Sequence, residues 1–112
     1  MSFIVYAFND VLSNNQIYKF VIEIVQDLEN TREDIHGYPY VRTIRNILIG
    51  KEDAKIAPNF KNKQYYGLVN ELTLQETEKI LDYLVVTNQI TYFFTQNGKL
   101  YCTFDYYKTK HY

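Results

Sequence analysis

With 112 residues and 46% hydrophobic content, the chain has apolar material for one core and not two, so a single domain over residues 1–112 is expected, its core spanning roughly 15–105. A formal net charge of -1 excludes a global positive field toward DNA or an anionic membrane, and any nucleic-acid affinity has to come from local patches. One cysteine, Cys102, excludes an intrachain disulfide and a cysteine-built zinc site, reads as a small buried strand residue, and fits a reducing, cytoplasmic setting.

Phe3 to Phe8 is rich in branched and aromatic residues and stops at Asn9-Asp10, as a short buried strand would, with a helical start as the alternative. It is too short to span a bilayer and has neither a basic n-region nor a cleavage site. From Asn15, the residues Ile17, Phe20, Val21, Ile24, Val25 and Leu28 fall on one face of an amphipathic helix. Lys19, Glu23, Gln26, Asp27 and Glu29 read as its solvated face.

A polar connection, Asn30 to Gly37, leads to Pro39, which suits the first turn of a second helix because its missing amide proton costs nothing there. Val41, Ile44, Ile47 and Leu48 give that helix its buried face, and Gly50 ends it with a left-handed cap. Lys51 to Lys63 carries four lysines around Glu52 and Asp53, and Pro58-Asn59 breaks it near the middle. A short helix over Glu52 to Ile56 followed by a loop is expected.

Thr73-Leu74-Gln75-Glu76 is a capping box that opens a third helix, with Thr77, Ile80, Leu81, Leu84 and Val85 as its core stripe and Asn88 at its end. Ile90 to Thr95 and Lys99 to Phe104 flank Gln96-Asn97-Gly98, where Asn-Gly favours the positive φ values of a tight hairpin turn. Residues 106–112 form a basic, aromatic, loosely held tail. The order predicts an α+β winged helix: three or more helices, an extra N-terminal strand or helix, and a C-terminal β-hairpin as the wing.

Over Ile17 to Phe104 the chain resembles the RQC domain found near the C-terminus of RecQ-type DNA helicases. The likeness lies in Val41 to Lys51, similar to a family helix ending in Leu-Arg-Gly-Ser, then in Lys55-Ile56, Tyr66-Gly67 and Asp82 to Ile90. The resemblance implies a winged helix that binds duplex ends, forks and G-quadruplex DNA, with phosphate contacts around Gly50, Lys51 and Lys55 and a wing that pries at the terminal base pair. Ile49 replaces the family's arginine, Leu68-Val69-Asn70-Glu71 replaces a polar loop, and Gly50-Lys51 lacks the upstream glycine and the hydroxyl of a nucleotide-binding phosphate loop. A stand-alone module without a helicase motor is expected.

The candidate DNA-binding residues are Gly50, Lys51, Lys55, Lys61, Lys63, Asn97 and Lys99, with Lys108, Lys110 and His111 as a candidate extension and Tyr65, Tyr66, Tyr92, Phe93 and Phe94 as rings able to stack on unpaired bases. In the third helix, Gln75, Glu76, Glu78, Lys79, Asp82 and Tyr83 make an acidic outer face, which argues against insertion into a major groove. No enzyme, metal or cofactor is expected: His36 and His111 lack metal-ligand spacing, Cys102 has no neighbouring histidine, and Glu33-Asp34 reads as loop solvation. Two functions compete, a DNA-binding protein for ends, forks or junctions, and a protein-interaction module (regulator or inhibitor) built on the tyrosine-rich, acidic surface.

Overall fold

The structure is a computed structural model that describes residues 14–31, 39–54 and 56–111. The expected strand at Phe3 to Phe8, most of the polar connection and Lys55 lie outside the described residues. Ile17, Val21, Ile24, Val25 and Leu28 are buried along one stripe of α1 (Asn14–Thr31), as their spacing predicts. Its outer face is less solvated than expected. Asp27 accepts a hydrogen bond from the Tyr65 hydroxyl at 2.6 Å, and Glu29, only 9% exposed, is taken up by Thr103.

Pro39 does not enter the second helix. It stands one residue before the N-cap Tyr40, whose extended backbone forms an antiparallel bridge with Leu100, and the Pro39 carbonyl accepts from the Tyr101 amide at 3.3 Å. That carbonyl is used for sheet pairing, so helix α2 (Val41–Ile49) starts after it. Ile44, Ile47 and Leu48 turn inward with Asn46 and Thr43, and Val41 is half-buried.

At the far end of α2, Gly50 sits at φ 76°, ψ 29°. The Gly50 and Lys51 amides donate to the carbonyls of Ile47 and Asn46, a Schellman closure. The Tyr66-Gly67 loop then docks on the same end: the Gly67 amide donates to Ile47 and the Val69 amide to Leu48, each at 2.8 Å. A methyl group on Gly50 would stand 3.0 Å from the Gly67 Cα, so the two backbones approach too closely for a side chain on Gly50.

The expected helix over Glu52 to Ile56 is absent among the described residues of that stretch. A 3-10 helix forms instead at Pro58–Asn62, where Pro58 occupies the first turn with its preset φ and Phe60 is driven into the core, fully buried. The expected break is thus the start of the only helix described between α2 and α3 (Leu74–Val86). The α3 capping box is present in both directions: the Glu76 amide donates to the Thr73 hydroxyl at 3.1 Å and the Thr73 amide to the Glu76 carboxylate at 2.9 Å. Thr77, Ile80, Leu81 and Leu84 are buried. The helix closes at Thr87, and Asn88 follows with φ 62°.

Strands β1 (Thr91–Thr95) and β2 (Gly98–Cys102) pair antiparallel, with Tyr92 opposite Tyr101 and Phe94 opposite Lys99. Positive φ falls on Gly98 (132°) and not on Asn97, so only the glycine supplies the reversed backbone that the Asn-Gly pair was expected to share. Thr103 and Phe104, expected to finish the second strand, lead into α4 (Phe104–His111). The tail is therefore helical over this span. The Thr103 hydroxyl accepts the Tyr106 amide at 3.3 Å, an N-cap bond that ends the strand and starts the helix.

The described fold is α+β, with α-helices and a two-stranded antiparallel sheet around one hydrophobic cluster shared by α1, α2, α3, the 3-10 helix and the hairpin.

Candidate nucleic-acid interface

The expected phosphate-contacting corner is largely committed to structure. Phosphate contacts are expected around Gly50 and Lys51, but the amides of both residues cap α2 carbonyls. Lys51 keeps an exposed side chain. Lys61 is ion-paired with Glu52, and the bond raises the Lys61 pKa. Lys63 lies 3.5 Å from the Asp27 carboxylate. With Lys55 outside the described residues, a lysine track from 51 to 63 reduces to one exposed ammonium and two ammonium groups each facing an acid.

The aromatic candidates separate by face. Tyr65 is fully buried and tied to Asp27, which removes it as a stacking ring, and burial with that bond drives its phenol pKa well up. Tyr66 is half-buried beside Gly50. Phe93 is half-buried against Tyr107 of α4, with ring centroids 6.2 Å apart. Tyr92 and Phe94 point the other way, to the open face, where Phe94 is 73% exposed and the two rings meet edge to face at 5.5 Å. Alternation along β1 produces this split, because successive strand residues face opposite sides.

Lys99 belongs to that open face. Its ammonium lies 4.8 Å from the Tyr92 ring centroid and 5.6 Å from that of Tyr101, a cation over aromatic surface. Burial works against the charge, but Tyr101, Asp82 and Glu78 outweigh it and keep the pKa above the ordinary lysine value. Asn97 is exposed at the hairpin tip, its amide donating to the Thr95 hydroxyl at 3.1 Å. The acidic outer face of α3 is exposed at Gln75, Glu78, Lys79 and Asp82, whereas Glu76 is engaged in the capping box. Tyr83 stacks on Tyr18 of α1 at 4.5 Å, and Val86 is 77% exposed beside the end of the helix.

Sequence reasoning did not single out Arg42 or the cleft it shares with the hairpin. Tyr40, Val41 and Thr43 around the start of α2, Glu78 of α3 and Gly98, Lys99 and Tyr101 of the hairpin wall a cleft of about 490 Å³. Tyr40 bridges to Leu100 and so brings the start of α2 to the hairpin, a pairing with no local signal in the chain. Among the described residues no group of His, Cys, Asp and Glu could hold a metal ion, and no helix is long and apolar enough to cross a membrane. Cys102 is buried, and its thiol pKa is pushed up to about 12 by burial, with Glu29 adding to the effect.

No protein-family model matches the chain, and neither do any of the curated proteins or solved structures with which it was compared.

Proposed function

We propose that this is a non-catalytic winged-helix DNA-binding protein of the kind the RQC resemblance implies, working in a reducing cytoplasmic setting, and that it recognises a strand end or a single-strand/duplex boundary with its hairpin. Support for the winged-helix reading comes from the order α1, extended Tyr40, α2, α3, hairpin, with Tyr40 paired to Leu100 as a minimal third strand. The carrying observation is the open hairpin face: Phe94 73% exposed, Tyr92 beside it and the Lys99 ammonium over the Tyr92 ring. A large exposed ring needs no core partner here, and a ring next to a cation suits a base and its phosphate. The weight of recognition shifts from the lysine segment to the wing.

The test is fluorescence anisotropy with forked, blunt and single-stranded oligonucleotides over a salt series. Fork or end binding should weaken about tenfold in Phe94→Ala, since one base stack is worth about 1–3 kcal/mol. A wild-type protein that binds no oligonucleotide at low salt, or a Phe94→Ala protein that binds equally well, sinks the proposal.

A second reading, a protein-docking module, is favoured by one observation. The acidic outer face of α3 ends in exposed Tyr83 and Val86, an apolar spot rimmed by charge. Negative results in the oligonucleotide series would move the function to that face.

A further inference from the structure

The two edges of the hairpin differ. On the β2 side the Tyr101 amide donates to the Pro39 carbonyl and Leu100 bridges to Tyr40, so that edge is partly covered. The same bond fixes which way the β1 backbone points. A Tyr101 amide turned out toward Pro39 cannot serve Tyr92 across the hairpin, so these two residues form a pair whose backbone groups face away from each other. The alternation repeats two residues on, at Phe94 and Lys99. The amides and carbonyls of Tyr92 and Phe94 therefore point out of the sheet along β1, where no backbone group of a described residue meets them.

Folded proteins blunt such an edge with a charge, a proline, a bulge or a covering segment. Thr91-Tyr92-Phe93-Phe94-Thr95 has no charge and no proline, and it pairs one-to-one with β2 without a bulge. Its composition favours further strand pairing. Phe94, 73% exposed, and Tyr92, 38% exposed, stand beside this edge on the open face.

The strand is also self-complementary. About Phe93 it is a near-palindrome, with an aromatic residue on each side and threonine at each end. A second β1 laid antiparallel across a two-fold axis at Phe93 sets Tyr92 opposite Phe94 of the second copy, Phe93 opposite Phe93, and Thr91 opposite Thr95. Tyr92 and Phe94 then form the hydrogen-bonded pairs, using the groups that already point outward. Moving the axis to Tyr92 or Phe94 keeps the bonding pattern but leaves strand residues without a partner in β1. Charge is compatible as well, since no like charges oppose each other along the seam. The two rings leave roughly 200 Å² exposed per copy, because a large aromatic side chain presents about 150–250 Å². Both copies together fall short of the about 1,200 Å² of a stable complex, which makes the association weak and reversible.

We propose that this chain self-associates through the β1 edge as a two-fold symmetric dimer. Strands join in the order β2, β1, β1, β2, and Tyr92 and Phe94 of both copies gather into one aromatic patch on the open face. Two-fold pairing is the commonest symmetry of soluble assemblies, and it requires a surface that complements itself. The inference does not rest on DNA recognition, and its test contains no nucleic acid.

Sedimentation equilibrium over a concentration series should show a monomer–dimer equilibrium with a dissociation constant of about 10–100 µM. Phe94→Glu puts a charge on the edge while facing Lys99 across its own hairpin, so it should raise that constant at least about tenfold and still melt as the wild type does under monomeric conditions. A second measurement uses the unaltered protein. The Tyr92 and Phe94 amides should exchange hydrogen freely in dilute solution and become protected as the dimer forms, whereas the Phe93 amide, inside the hairpin ladder, should be protected throughout.

A protein that stays monomeric up to about 500 µM overturns the proposal. So does a dimer that survives Phe94→Glu with both edge amides still exchanging freely, which would move the contact to another face. Protection of those amides that does not depend on concentration overturns it too, because a segment of the same chain, such as Phe3 to Phe8, would then cover the edge.

Discussion

The Glu29 carboxylate, near the end of α1, accepts both the backbone amide of Thr103 at 2.5 Å and its hydroxyl at 2.9 Å, so the first helix holds the point where the hairpin ends and α4 begins. Residues 74 positions apart are joined by a charged, partly buried acceptor. Glu29→Ala should destabilise the protein by about 1.5–3 kcal/mol, because the Thr103 donors lose a charged partner in a partly buried site. Glu29→Gln keeps one acceptor and should cost less. Urea titration measures both, and an Ala variant as stable as the wild type would show the contact to be dispensable.

The Gly50 and Gly67 contact predicts an order of effects. Gly50→Ala meets the Gly67 backbone at 3.0 Å and must also adopt φ 76°, so a loss of about 1–3 kcal/mol is expected. Gly67→Ala meets Gly50 at an ordinary 3.6 Å and carries only the φ strain, about 1 kcal/mol. Gly98→Val sets its Cβ in ordinary contact with the Tyr40 ring at 3.7 Å, yet φ 132° disfavours a branched side chain, and thermal melts should show a loss of about 1–3 kcal/mol. Equal melting of Gly50→Ala and Gly67→Ala would contradict the close backbone approach.

Alkaline stability follows from the buried acids. The Cys102 thiol is raised by burial from near 9 to about 12, and the Tyr65 phenol is raised by burial and by its bond to Asp27. Above the unfolded thiol's pKa the unfolded chain releases a proton that the folded chain keeps, so stability is full below about pH 9 and falls as pH rises toward the folded value. Urea midpoints should therefore decline from pH 9 to 11, less steeply in Cys102→Ala. Native protein should resist thiol labelling at pH 8. Rapid labelling there would mean the thiol is not shielded.

The lysines are expected to be unequal. Lys51→Glu should weaken oligonucleotide binding about threefold to tenfold and lower the salt slope by about one phosphate equivalent, with no change in melting. Neutralising Lys61 and Glu52 together leaves net charge unchanged, and affinity should stay within about twofold of the wild type. A larger loss in the paired variant than in Lys51→Glu would return the lysine segment to the centre of recognition.

What the chain made legible was chemistry confined to a few neighbouring residues. The α1 stripe, the Gly50 cap, the Thr73 to Glu76 box and a turn at Gly98 each depend on spacing within one or two turns. The 3-10 helix at Pro58 was hidden because Phe60 needs the distant core to pull it in. Of the candidate site, Lys99, Asn97 and the open-face rings stand together on the hairpin, since strand alternation is also local. The pairing of Lys63 with Asp27 and the meeting of Arg42 with the hairpin depend on tertiary contacts that no local pattern encodes. Even Lys61, in the 3-10 helix, meets Glu52 from nine residues away with no helical spacing to announce it.

The bridge between Tyr40 and Leu100 bears on the speed of any encounter. A two-stranded hairpin alone is marginal in water, but here β2 is fastened at its middle residue to the segment that starts α2. A partner meets a surface already in its final shape, so association need not wait for an ordering step and loses little entropy to one. Loosening that fastening, for instance with Tyr40→Gly, should slow the on-rate more than it speeds dissociation.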